Sequence, residues 1–394
     1  MPPHHGEHTG ARIKRSRKVR RLTQRELAEL SNVSYSTLTK VEQGALPASP
    51  SVVGALARAL SVSVAELNGQ PYFEELRQDQ LDGLIQPIRE ALNVYDLGPD
   101  PDVVPRPVEE LETCAGRLCA LVRAANVKQA AADLPGLILE ATTTVHTAGS
   151  DRSWRLLASM YRTAYDVTTK LSCPDLGMVA LDRMGWAAEC ASDPVLGAVR
   201  QYMRGVAYLR AGDYRTGRRL VQLGMAALEQ AEPGRERDVA TGQLHLGSAV
   251  LAGRGNDEAT AGAHLEEAQR IADRTGPAEG VHWLSFGPTN VGVHRVSVLA
   301  ELGQYADAVR AAEKTRIPDG WIPSRLAHHY AEVAQALMWT GRAEAAFKNL
   351  QKARKLAPQQ TRYHALVRET YAGLESAKRR MPSTFCNFGA WLGA

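Results

Sequence analysis

Hydrophobic positions in the first 70 residues recur at helical spacing and are interrupted by short polar corners. Ile13, Val19 and Leu22 are expected to turn inward from a basic first helix. Leu27 and Leu30, three apart, mark one face of a second helix, and Leu38 and Val41 form the seam of a third. A fourth helix over 51–60 packs Val52, Val53, Leu56, Ala57 and Leu60, and a short one over 64–67 closes the core. Thr23 followed by Glu26 has the spacing of a capping box. The second helix should end near Ser31 and Asn32, because Asn tolerates the left-handed conformation of a tight corner. Ser34 then caps the third helix, and Gly44 stands where a helix stops. Two helices joined by a three- or four-residue turn make a helix-turn-helix.

The pattern changes at about residue 71. A helix is expected over 74–95, broken or kinked near Pro87, with Leu76, Leu81, Leu84, Ile85, Ile88 and Leu92 on a broad apolar face. That face is suited to joining the following domain or a dimer interface. LGPDPDVVPRP reads as a linker or long loop. From 108 onward amphipathic segments recur, with AYLRAGDYRTG, VLAELGQYADA and ALMWTGRAEAA marking similar corners. Gly212, Gly303 and Gly341 are equivalent turns, and Gly255 fits a degenerate one between the first two. Paired amphipathic helices cannot bury their stripes alone, so stacking gives a superhelix with a concave face. The aromatic tail, with Phe385, Phe388, Trp391 and Leu392, is expected to cap that stack or to swap onto a second subunit. Ala and Leu are abundant and β-branched runs few, so the fold class is all-α.

Charge separates the two halves. Residues 1–70 hold ten Lys and Arg against five Asp and Glu, whereas 71–394 hold 37 against 38. Residues 71–112 alone carry eleven acids against three Arg. The run RIKRSRKVRR puts seven positive charges in ten residues, a density suited to phosphate contacts. The outward positions of the third helix, Tyr35, Ser36, Thr39 and Lys40, all donate hydrogen bonds, and a helix fits the major groove. Gln24, in the first turn of the preceding helix, can grip a phosphate or a base.

TQRELAELSNVSYSTLTKVEQG, continuing through LPASPSVVGALARALSVSVAELNG, resembles the Cro/C1-type (XRE-type) helix-turn-helix of bacterial and phage regulators. The resemblance covers about residues 12–69. It departs at Asn32 and Arg21, where the family usually has glycine, and at Ser16, where it has a core leucine. It implies a five-helix Cro/C1-type helix-turn-helix domain with positions matching Gln24, Tyr35, Ser36, Thr37 and Lys40 facing DNA. With the basic arm and the cap, the expected DNA-binding set is Arg15, Arg17, Lys18, Gln24, Ser34, Tyr35, Ser36, Thr37, Thr39 and Lys40. The later segments resemble tetratricopeptide repeats, whose period is about 34 residues. The combination is similar to actinobacterial regulators that join an XRE-type domain to a tetratricopeptide-like helical solenoid.

The expected organisation is a disordered tail over 1–11, the DNA-binding domain over 12–69, and a helix and linker over 70–107. A repeat domain for sensing and dimerisation follows over 108–378, and a tail over 379–394. EGVHWLSFGPTNVGVHRVSVLAELG interrupts the repeats and gathers His282, Trp283, Phe286, Asn290 and His294. With His328 and Trp339 these form the candidate effector-binding set, aromatic faces mixed with convergent donors.

Other chemistry is not expected. The five cysteines include no CxxC pair and read as reduced thiols; the His-rich N-terminus, with His4, His5 and His8, reads as a tail rather than a metal site. GxSxG, HExxH, Walker A and GxGxxG are absent, so the protein is expected not to be an enzyme and to need no cofactor. The N-terminus has no apolar signal segment, and no run is apolar enough for a membrane span, so a cytoplasmic location is expected. The expected partners are double-stranded DNA, as a palindromic operator; a small-molecule or peptide effector; and a second copy in a homodimer. Two rivals compete with this effector-controlled regulator: a regulator controlled by a partner protein, and a scaffold that binds no DNA. The basic arm speaks against the scaffold.

Overall fold

The computed structural model describes residues 8–46, 48–69, 78–171, 173–362, 364–377 and 383–392. The regular structure among those residues is helix, with one isolated bridge between Ala278 and Phe286 and no strand. His4, His5 and Leu76 lie outside the described residues, as does the side chain of Leu81.

Five helices make the N-terminal unit: α1 (Thr9–Val19), α2 (Gln24–Ser31), α3 (Tyr35–Glu42), α4 (Pro50–Leu60) and α5 (Val64–Leu67). Each of the last four begins on a serine or threonine cap. Thr23 accepts from the Glu26 amide at 3.2 Å while the Glu26 carboxylate accepts from the Thr23 amide at 2.7 Å. Ser34, Ser49 and Ser63 accept from the amides of Thr37, Val52 and Glu66. Such caps contribute about 0.5–2 kcal/mol each. Asn32 turns the corner in the left-handed region (φ 53°), and Arg21 does the same at φ 57°. Ile13, Leu27, Leu38, Leu56, Leu60 and Leu67 fill the core.

Three details differ from the sequence expectation. α1 begins at Thr9, three residues earlier than expected, because His8 Nδ1 caps it by accepting from the Ala11 amide at 3.2 Å. Val19 is 78% exposed. At 100° per residue it stands about 240° around α1 from Ile13, so the two cannot share a face. Leu30 is 63% exposed, because the inward face of α2 is Leu27, Ala28 and Ser31.

α6 (Gln78–Asn93) runs through Pro87 and buries Ile85, Ile88, Ala91 and Leu92 in the core of the following region. The segment after it is pinned, not loose: Arg106 pairs with Glu140 at 2.6 Å, and the Asp100 amide donates to Thr143 Oγ1 at 3.3 Å. It therefore joins two elements of one core.

Helix pairs follow. They are α7 (Val108–Arg123) with α8 (Val127–Ala148), α9 (Asp151–Lys170) with α10 (Pro174–Cys190), and α11 (Pro194–Arg210) with α12 (Tyr214–Glu229). Then come α13 (Arg235–Arg254) with α14 (Glu258–Thr275), α15 (Pro288–Glu301) with α16 (Tyr305–Lys314), and α17 (Pro323–Trp339) with α18 (Ala343–Leu356). Successive first helices touch one another from α7 to α17, so they line the inner side of the stack, and α17 also reaches α7. Gly212, Gly303 and Gly341 adopt φ of 79°, 74° and 77° at the turns within their pairs. At the α13–α14 turn Gly255 stays at φ −80°, and Asn256 supplies the left-handed residue.

The stack ends in α19 (Pro358–Arg362), α20 (Ala365–Ala377) and α21 (Ser383–Leu392). α21 caps it within the same chain: Phe385 stacks on Tyr371 with centroids 4.3 Å apart, and Arg354 lies over Trp391 at 4.4 Å. The N-terminal unit rests on the repeats at two places. Tyr214 Oη donates to the Pro50 carbonyl at 3.0 Å, and Arg58 donates to the Gly212 carbonyl. Elsewhere the Thr9 hydroxyl donates to Glu369 of α20.

Candidate nucleic-acid interface

α3 presents an uncovered polar face beginning at its N-terminus. Ser34, Tyr35, Ser36 and Lys40 are exposed, and Thr37 and Thr39 are half-buried. Ser34 Oγ donates to Thr37 Oγ1 at 2.7 Å and lies 3.1 Å from Ser36 Oγ, so the cap also orders the first turn. Arg25 on α2 places its guanidinium 5.8 Å from the Tyr35 ring centroid. Arg25 is not among the contacts expected from the sequence; it stands in the first turn of α2, beside Gln24. The contacts with the repeats are made by α1, α4 and their neighbours and leave this face open.

One expected DNA contact, Arg17, is corrected, and a second, Gln24, is half-buried and already engaged within the domain. Arg17 is buried: its Nε and Nη2 donate to the two Glu42 oxygens at 2.6 and 2.9 Å, and Nη1 donates to the Leu22 carbonyl at 2.8 Å. Gln24 Nε2 donates to the same carboxylate at 2.8 Å. Both side chains therefore serve the joint between α1, α2 and α3. Glu42, through this hydrogen bond, holds the Arg17 guanidinium above its ordinary pKa. Arg15 and Lys18 are exposed. Arg15 stands about 160° around α1 from Arg17, hence away from α3, whereas Lys18 stands about 100° away.

The effector candidates divide into separate groups. Phe286 is 1% exposed and sits on Gly242, where a Cβ would fall 2.1 Å from the Phe286 ring, so it is core and not a contact surface. Asn290 is buried and bridges, donating to Gln243 Oε1 at 3.4 Å and accepting from Arg325 at 2.6 Å. His294, beside the same arginine, is pushed down to about 3 by burial and then by Arg325, so it is neutral. His328 contacts His364 at 2.8 Å and Glu332 at 3.3 Å. Trp339 stacks on Tyr305 (5.8 Å), about 16 Å along α17 from His328.

His282 and Trp283 lie in the loop between α14 and α15. His282, Trp283 and Ser285 take φ of 43°, 54° and 62°, three left-handed non-glycine residues within four positions. Each such residue costs on the order of 1–3 kcal/mol and persists only where its surroundings hold it. Arg162 donates to the Trp283 carbonyl at 3.2 Å, and Arg123 donates to Ser285 Oγ at 2.8 Å while lying 5.4 Å from the Trp283 ring. The other side of Trp283 opens on a groove of about 370 Å³ lined by Gly116, Arg152, Arg155 and Ser159 among others. Among the described residues no cluster fit to hold a metal occurs and no helix is long and apolar enough to cross a membrane.

Residues 8–68 match the family described as the helix-turn-helix domain. A search among curated proteins returned no match. Among solved structures, Bacillus thuringiensis PlcR, in complex with the peptide PapR7 and DNA, aligns with 95% of this chain and 100% of its own at 12% identity and a TM-score of 0.23.

Proposed function

We propose that the protein is a sequence-specific transcriptional regulator of XRE type whose N-terminal domain reads DNA and whose repeat domain binds an effector that modulates operator affinity. The observation that carries this reading is the open face of α3: a helix-turn-helix whose second helix presents Ser34, Tyr35, Ser36 and Lys40 to solvent while its apolar side is buried. Lys40 is the base-reading candidate, with Tyr35, Ser36, Thr37 and Thr39 beside it, and Lys18 and Arg25 are the candidates for phosphate contacts. Lys40→Ala should weaken specific binding by about 1–3 kcal/mol and relax sequence preference. Lys18→Ala should weaken all sequences alike and lower the salt slope by about one. Titrations of both variants against selected and random duplexes, at several salt concentrations, test this. Unchanged binding in both would remove the reading.

The domain division 12–69, 70–107 and 108–378 belongs to the same proposal, with α6 assigned to the repeat side. The active unit is a homodimer on a palindromic operator, because one such domain covers one half-site and two recognition helices about 34 Å apart span a helical turn. Sedimentation of the full chain with and without operator should give a dimer. A monomer protecting a single half-site would sink the dimer.

A further inference from the structure

α9 carries a stripe that the sequence reading did not single out. Arg152, Arg155, Ser159, Arg162, Asp166 and Lys170 follow at spacings of three and four and so share one face. The face turns inward, since Arg152, Arg155 and Ser159 line the groove beside Trp283 and Arg162 holds the Trp283 carbonyl. At the outer end the charges are matched: Arg152 pairs with Glu109 and Glu112, and Arg155 with Asp193. Further in they are not. Arg162 has Asp166 at 3.6 Å, a long contact. Arg123, Lys170, Arg210 and Arg325 have no ion pair among the described residues, and their bonds go to the neutral acceptors Ser285, Gln360, Tyr165 and Asn290.

These cations crowd one another. Burial holds Arg123 below its ordinary pKa, and Arg162 and Arg325 add to the effect against the pull of Glu279. Lys170 and Arg210 are exposed, and they flank the half-buried Arg162 and Arg325. Desolvation, then Arg210 and Arg325, lower the Lys170 pKa against Asp166. The Nε atoms of Arg123 and Arg162 are buried with no partner. A set of half-buried and exposed cations that outnumbers its neighbouring acids attracts negative charge to the surface it lines.

We propose that the inner surface between α7, α9, α11 and α17 is a binding site for a small organic anion bearing carboxylate or phosphate oxygens. Arg123, Arg162, Lys170, Arg210 and Arg325 hold it. Loop 281–285 is the neutral occupant it displaces: the Trp283 carbonyl and Ser285 hydroxyl take donors that bond more strongly to an anion. The surface belongs to the repeat helices and not to the open face of α3. The inference rests on the effector reading of the repeats and adds the ligand's chemical class.

The test is calorimetric titration of the full chain with citrate and, separately, with inorganic pyrophosphate. One-site saturable binding of either is expected; citrate alone identifies carboxylate chemistry and pyrophosphate alone phosphate chemistry. Arg325→Gln and Lys170→Gln should each weaken it by about tenfold or more, as expected for a lost hydrogen bond to a charged group, while the exposed Lys128→Gln leaves it unchanged. Lys170 makes one long bond, to Gln360 at 3.5 Å, so its variant probes charge even where Arg325→Gln disturbs packing. Absence of one-site binding by both probes, or a Lys170→Gln variant that binds as tightly as the parent, overturns the proposal. Duplex titrations on the same samples keep the two readings apart: anion binding with unchanged DNA affinity would uphold the site and remove effector control.

Discussion

Arg17→Ala should unfold the helix-turn-helix domain rather than weaken a phosphate contact. The guanidinium and the Glu42 carboxylate meet through two parallel hydrogen bonds, and the Glu42 side chain is 1% exposed. Removing one member strands the other as a buried charge, a loss of about 3–5 kcal/mol. At roughly 0.05–0.15 kcal/mol per residue, a domain of this size has little more than that to lose. Arg17→Lys should rescue poorly, because an ammonium cannot make the paired contact. The double variant Arg17→Met with Glu42→Leu should recover most of the stability, since an apolar pair of similar volume replaces the ions. Amide hydrogen exchange over residues 8–69 of the full chain reads this directly. Retained protection in Arg17→Ala with weaker DNA binding would return Arg17 to the DNA surface.

Phe286→Ala should destabilise the repeats by about 3–5 kcal/mol, because a fully buried ring leaves a cavity that helices on both sides cannot close. The reverse change should be harmful as well: Gly242→Ala drives a methyl into the same ring and should cost about 1–3 kcal/mol. Trp283→Ala, in a half-buried loop position, should lower the melting temperature far less. Thermal melting of the three variants checks the order. A Phe286→Ala protein that melts like the parent would show that the ring is free to meet a ligand.

Local signals carried the N-terminal domain well. The caps at Thr23 and Ser34, the left-handed Asn32 and the bounds of α5 rest on chemistry within three or four residues, which a single sequence displays. Arg17 was misread because seven like charges in ten residues look like one solvated face. Projection on a helix separates them: Arg17 lies one turn after Ile13 and must point inward with it. Glu42, at the end of the α3 seam and one residue after Val41, was the matching sign. In the repeats, the glycine turns were readable because positive φ selects glycine, whereas the α13–α14 turn passed to Asn256 and hid its register. The grouping of Arg123, Arg162 and Arg325 was beyond sequence reach. Those residues come from α7, α9 and α17, more than 200 positions apart at the extremes, and only the curvature of the stack brings them together.

The two resting points of the N-terminal unit make it a chord across a coil. One anchor is the turn at Gly212 and Tyr214, the other Glu369 of α20, with α13 to α19 between them. A coil that changes its twist slightly at each pair sums those changes at its ends, while a chord of fixed length cannot follow. Any alteration in pitch along that stretch must therefore break one anchor or tilt the chord. The serine-rich tip of α3, rigidly joined to α1 through Arg17 and Glu42, turns with it like a pointer on a gauge.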